Sequence, residues 1–509
     1  MPTNQMSVIQ VKTRLGVVAG LEKEGVHSFR GIPYAKPLEG LGRIAAPQAI
    51  PAWEGVMEAT RWAPAAPQED IPMMGVGPAG DACLALNICR PASMSAALPV
   101  MVWIHGGGFL TGASHQALYE PSTLVRENGV IVVSINYRLG VLGFGDWSDW
   151  PELGGVSNAG LRDQIMALQW VQAHIGSFGG DAGNVTVFGE SAGGMSIACL
   201  LASPLAKGLF HRAIIQSGSA DHVVVRSEAQ RITRRFAEAA GDIRSVLEGD
   251  LASLVVAQRH CLATTVNRGI HQQSVRQFGM TLLPQIGDDV LPQHPLIAMR
   301  QGQGAGIPVL LGTTLDEWNL FYRAPQAMGL GPARPEPDEA RVAHEFERTL
   351  PGRGAAMLAR YRALMPDALP SEVFCAYETD RMFRIPSLRL AEGRFSAPTA
   401  TWHYLFDWPC AWDPRLKSCH VMEVPFVFGI TGKPTGQFFT GGSKAAEVLS
   451  RQVRAAWAAF AKGGSPVASG WPEWPAYSEK GRASMVIAAH SFRQDDPEQS
   501  RRLLWEGIL

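Results

Sequence analysis

Gly189-Glu190-Ser191-Ala192-Gly193 sets one hydroxyl among side chains of almost no bulk, with a carboxylate beside it. This is the G-x-S-x-G spacing of a nucleophile elbow, a strand-to-helix turn that holds a serine oxygen out of a sheet for acyl transfer. A second stretch, His105-Gly106-Gly107-Gly108-Phe109, offers consecutive backbone N–H groups to a developing oxyanion. Such a loop, together with the N–H of the residue after the serine, Ala192, could form an oxyanion cradle. The chain has 54 glycines, so either short match alone is cheap. Two complementary loops in one chain are not.

A serine hydroxyl needs a base within reach, and the base needs an acid to orient it. In elbow-bearing folds the chain order is serine, acid, histidine. Spacing alone selects none of the histidines after Ser191, but His420, late in the chain between "PRLKSC" and "VMEVPFVFG", suits a loop at a sheet edge. For the acid, Asp316 and Glu317 stand just beyond the apolar run "IPVLLGTT".

The elements that must hold these groups follow from hydrophobic patterning. The stretches 98–107, 129–140, 184–189, 211–219 and 307–314 read as buried strands, with glycine or polar loops after them. Apolar residues at 161, 165, 168, 171, 175 and 178 recur at helical spacing. Strand–helix alternation of this kind predicts an α/β fold with a large, mostly parallel sheet and helices on both faces. Residues 221–300 and 325–400 read as helical insertions decorating one domain spanning 1–509, with 328–340 as a Gly/Pro-rich mobile loop.

Composition excludes several classes. Lys plus Arg is 45 against 46 for Asp plus Glu, a net charge of −1, so no basic excess points to nucleic acid or an anionic membrane. No apolar run is long enough to span a bilayer. The opening "MPTNQMSVIQVKTRLG" lacks the apolar core of a secretion signal, and seven scattered cysteines suit a reducing compartment, so the expected location is the cytoplasm. The literal G-x-G-x-x-G at 75–80 has no strand before it and a proline within it, which sets a dinucleotide site aside. Cys410, Cys419 and His420 lack the short paired spacing of a zinc site, and no metal or cofactor is expected.

With both loops in hand, the chain resembles the type-B carboxylesterase/lipase family of the α/β-hydrolases, which includes para-nitrobenzyl esterases and cholinesterases. The likeness runs from "GVVAGLEKEGVHSFRGIPYAKPLEGLGR" through "WIHGGGF", "INYRLGVLGF", "GDAGNVTVFGESAGG", "GTTLDEW" and "CHVMEVPFVFG" to "AAWAAFAKGGSPVASGWPEWPAY". It implies a serine esterase working through an acyl-enzyme, with Ser191 as nucleophile, Glu317 rather than Asp316 as acid, and His420 as base. It implies oxyanion donors at Gly107, Gly108 and Ala192, with Glu190 and Ser217 bracing the histidine and the acid. Arg43 with Asp81, and Arg138 with Asp163, correspond to structural ion pairs, and Phe278, Met280 and Phe321 to the wall of an acyl pocket. The helical insertions would surround the active-site mouth. The implied partner is a small-molecule ester, and the implied assembly a monomer or weak homo-oligomer.

Three departures qualify the likeness. Ala82 and Ala85 replace an acid and an aromatic of the family pattern, and Cys83 is the first cysteine, so the upstream disulfide of secreted members cannot form. No aromatic residue lies between Trp62 and Cys83, which argues against a choline-specific site. Two other readings stay open at this point: the same machinery acting on carbamates, amides or a multi-ester natural product, and a non-catalytic adhesion or scaffold homologue.

Overall fold

The computed structural model describes residues 7–268, 280–327 and 336–508. Its framework is one 13-stranded sheet. The N-terminal part is built by β1 (Ser7–Lys12), β2 (Val17–Lys23), β3 (Val26–Pro33), β4 (Val56–Glu58) and β5 (Ala85–Pro91). The centre follows with β6 (Leu98–Ile104), β7 (Ile131–Ile135), β8 (Gly180–Glu190) and β9 (Arg212–Gln216). Val224–Val225 (β10) and Gln285–Ile286 (β11) pair separately. β12 (Val309–Thr314), β13 (Thr401–Phe406), β14 (Ala483–Ile487) and β15 (Phe492–Asp495) complete the far side.

The order β1-β2-β3-β5-β7-β6-β8-β9-β12-β13-β14-β15, with β4 against β2, places seven parallel strands from β7 to β14 in the middle. The margins are antiparallel: β1, β2, β3, β5 and β7 on one side, β14 and β15 on the other. The expected parallel sheet is therefore the central part of a larger mixed one.

Every residue of β7 and β12, and the last five of β6, are buried because both faces of the sheet are covered. Successive side chains alternate between two cores. Val100, Val102 and Ile104 join one, while Met101 and Trp103 join the other. The first core receives the helices Ala159–His174 and Ala192–Ala202. The second receives Leu449, Val453, Trp457 and Phe460 of the helix Lys444–Gly463. All six residues of the apolar repeat from Leu161 to Phe178 are buried, the last two in a 3₁₀ turn that Gly179 closes at φ 80°.

The strands end where chemistry is expected. β6 runs into His105-Gly106-Gly107-Gly108, β8 into Ser191, β9 into Ser217, β12 into Leu315-Asp316-Glu317, and β13 into the loop that reaches His420. These are the carboxyl ends of parallel strands, where open α/β sheets gather ligand sites. The stretches expected to be helical insertions hold Arg226–Ala240, Ile243–Glu248 and Leu251–Arg268, then Glu339–Thr349, Gly354–Leu364 and Pro370–Thr379. The proposed mobile loop falls mostly outside the described residues.

Candidate active site

Ser191 sits between the last residue of β8 and the first of the helix Ala192–Ala202, at φ 55°, ψ −124°. A non-glycine residue in that region stores backbone strain that its surroundings must sustain. The neighbours explain why they are small. A Cβ on Gly193 would lie 1.9 Å from the Ile104 carbonyl oxygen, and one on Gly189 2.6 Å from the same atom. The elbow is thus packed directly onto the end of β6, and Ser191 N–H donates to the Gln216 carbonyl at 2.9 Å.

The glycine loop lies beside it. A Cβ built on Gly106 would come within 3.1 Å of Ser191 Cβ. Gly107 at φ 113° and Gly108 at φ 62° take conformations that side chains resist, and a Cβ on Gly107 would strike the Thr111 carbonyl oxygen at 2.0 Å. Ala192 opens its helix, so its N–H has no intrahelical acceptor. Among the described residues, the amides of Gly107, Gly108 and Ala192 donate to no protein acceptor. Three main-chain donors beside one serine can receive an anionic oxygen.

His420 and Glu317, 103 residues apart, meet: Nδ1 of the imidazole is 2.5 Å from Glu317 Oε2. Glu317 Oε1 accepts from Ser217 Oγ at 2.6 Å and from the Thr314 amide at 2.8 Å, so both carboxylate oxygens are engaged and fixed. Asp316 turns elsewhere; its Oδ2 accepts from the Ser418 amide at 3.3 Å, and burial pushes its carboxyl up to about 6. Of the two carboxylates, Glu317 is the one that faces His420. On the other side of the ring, His420 Nε2 lies 2.9 Å from Glu190 Oε1, the residue that precedes Ser191. Burial disfavours the imidazolium, but Glu190 and Glu317 outweigh it, and the imidazole is held well above its ordinary value of 6.5.

The pocket wall divides. Met280 places its methyl 3.7 Å from where a Cβ on Gly108 would be. Phe321 packs its ring 5.0 Å from that of His420 while staying 41% exposed, as a ring at a site mouth would. Phe278 lies outside the described residues.

Two groups near His420 were missed in the sequence. Phe383, in the π-helical turn Asp380–Arg384, lies 4.7 Å from the imidazole and stacks parallel to Phe321 at 5.9 Å. Glu423, one turn beyond His420, is buried near Gln216 Nε2 and the Tyr404 hydroxyl, each at 3.4 Å. Burial, then Glu190 and Glu317, push its carboxyl up to about 8. Glu423 stands inside the quoted stretch "VMEVPFVFG", where an acid within an apolar run was the available clue.

The two expected ion pairs are present. Arg43 meets Asp81 through Nε and Nη2, each at 2.8 Å. Arg138 meets Asp163 at 2.8 and 2.6 Å, both side chains wholly buried. All seven cysteines are free and buried. Among the described residues no group of three or more His, Cys, Asp or Glu side chains is arranged to hold a metal ion. No helix among them is long and apolar enough to cross a membrane.

Comparison with known proteins gives a consistent result. A model of the carboxylesterase family matches residues 7–504. The chain is similar to a para-nitrobenzyl esterase of Bacillus subtilis, 36% identical over 97% of each chain. It is similar to a phenmedipham hydrolase of Pseudarthrobacter oxydans at 30% identity, over 93% of this chain and 94% of that one. The solved structure of a thermophilic para-nitrobenzyl esterase superposes with a TM-score of 0.84 at 34% identity, covering 99% of this chain and 100% of the other.

Proposed function

The chain belongs to the carboxylesterase family and is a carboxylic ester hydrolase, and from that premise we propose that Ser191, His420 and Glu317 form its catalytic triad. His420 Nε2 takes the Ser191 proton as Oγ attacks the ester carbonyl. The amides of Gly107, Gly108 and Ala192 receive the charge on the carbonyl oxygen of the tetrahedral intermediate. Cleavage of the C–O bond expels the alcohol, which takes its proton from His420, and leaves the acyl group on Ser191. A water, deprotonated by the same imidazole, then attacks the acyl carbonyl and releases the acid. Glu317 keeps the proton on Nδ1 and stabilises the imidazolium throughout. Ser217 braces Glu317, and Glu190, 2.9 Å from Nε2, stabilises the imidazolium and gives up that nitrogen to Ser191 Oγ when the proton is transferred.

The observation that carries this reading is the 2.5 Å contact of His420 Nδ1 with Glu317, a carboxylate whose other oxygen is tied to Ser217 and Thr314. Met280 and Phe321 form part of the acyl-pocket wall, and the substrate is a small-molecule ester. Free buried cysteines support a cytoplasmic enzyme, and its assembly is proposed as monomeric or weakly self-associating.

A set of esters with one acyl group and different leaving alcohols tests the acyl-enzyme. With methanol added, all must partition between hydrolysis and methanolysis in one common ratio, because they share one intermediate. A ratio that changes with the leaving group would exclude that intermediate.

A further inference from the structure

Away from Ser191, on the face of the sheet that carries the second core, a cavity of about 590 Å³ opens where helical cover ends. Its floor is three neighbouring strands, through Val26 and Ser28 of β3, Cys89 of β5 and Val132 of β7. The segment 114–123 and Lys433 wall it. This volume lies within the range that holds small organic ligands, about 300–1,000 Å³.

The charges in it do not cancel. Lys433 is paired with Glu120, and Lys23 with Glu24. Arg30 and Arg126 also line the cavity, and among the described residues neither guanidinium meets a carboxylate at ion-pair distance. Both line the same cavity as Cys89, and so does Glu120, whose charge is taken up by Lys433. Arg30 gives its Nε to Ser28 Oγ at 3.2 Å and lies 4.4 Å over the Trp62 ring, which leaves its two terminal nitrogens as donors. Trp62 is 44% exposed at the cavity and stacks on His115 at 5.7 Å. His115 adds no charge, since burial holds its imidazole below the usual value. The polar end of the floor is already satisfied: Asn87 accepts from the Gly31 amide and donates to Ser114 and Ser134. What remains unanswered is two guanidinium groups, an exposed indole and an apolar floor.

We propose that this cavity is a second small-molecule site, separate from the Ser191 site, and that it takes an aromatic carboxylate. The carboxylate spans Arg30 and Arg126, whose planar forks match two oxygens. The ring of the ligand covers Val26, Cys89 and Val132 beside Trp62.

The test uses the full chain with Ser191 first phosphonylated, which fills the other site, and measures 2-naphthoate binding by equilibrium dialysis. One saturable equivalent is expected. The double variant Arg30→Ala/Arg126→Ala should weaken it about tenfold or more, as loss of charge-assisted hydrogen bonds does. Trp62→Ala should also weaken it, and the neutral 2-naphthamide should bind about tenfold more weakly than the acid. Turnover of a short aryl ester by unmodified protein should be the same in all variants, which shows that they fold. No saturable binding, affinity unchanged in the double variant, or equal affinity for acid and amide would each overturn the proposal, as would inorganic phosphate displacing 2-naphthoate while 2-naphthamide binds undiminished.

Discussion

At the scale of single residues, the account turns on which carboxylate serves His420 and what holds its proton. Glu317 faces Nδ1 and Asp316 faces the Ser418 amide. Glu317→Gln is therefore expected to lower kcat by several orders of magnitude, comparable to the roughly 10⁴-fold loss on the same change in another triad. Asp316→Asn should change it little; kcat of both variants on one aryl ester decides. The pH profile gives a second expectation. A base must be neutral to accept the Ser191 proton, and Glu190 and Glu317 hold the imidazole well above 6.5. Activity is then lost as pH falls through that raised value, so the acid limb of kcat/KM should lie above 6.5. Removing one negative neighbour in Glu190→Gln should move the limb to lower pH. A limb that stays in place or rises would show that Glu190 does not govern the imidazole.

At the scale of elements, a buried ion pair ties the segment after β7 to the helix Ala159–His174. Arg138, three residues beyond β7, binds Asp163 on the helix Ala159–His174 and reaches the Ala45 carbonyl at 2.6 Å. Both charges are wholly buried, so removing one strands the other. Arg138→Met is expected to destabilise the fold by about 3–5 kcal/mol. Thermal or denaturant unfolding would read that loss, while kcat per folded molecule should stay near wild type. A stability loss under 1 kcal/mol, by contrast, would mean that the pair is dispensable. Much of this level was legible in the sequence. The period of Leu161 to Phe178 located a helix, and the stretches 98–107, 184–189 and 307–314 located strands whose ends carry the site. The antiparallel margin was harder to read. β1 is largely exposed and β4 has three residues, so neither has the apolar run or alternation that marks a strand. Phe383 escaped for a different reason: a π-helical turn inside an insertion aims it at His420, and no local period records a contact between residues 383 and 420.

At the scale of the whole molecule, a sheet covered on both faces collects five loops at one end, and residues far apart in sequence become neighbours there. The sequence pattern could name Ser191 and the glycine loop because each is a local motif. Glu317 and His420 were selected only through resemblance, since their meeting is a product of strand order: β12 and β13 are adjacent, and their following loops close on each other. Glu423 shows the same limit, for its carboxyl is raised first by burial and then by Glu190 and Glu317, all three products of the assembled fold. The central claim is that Ser191 is the nucleophile of this assembly. Its most direct test is mass spectrometry after treatment with a fluorophosphonate. The account predicts one equivalent of adduct on Ser191, loss of ester turnover in step with labelling, and neither label nor turnover in Ser191→Ala. Inactivation with the adduct on another residue, or turnover by Ser191→Ala near the wild-type rate, would contradict it.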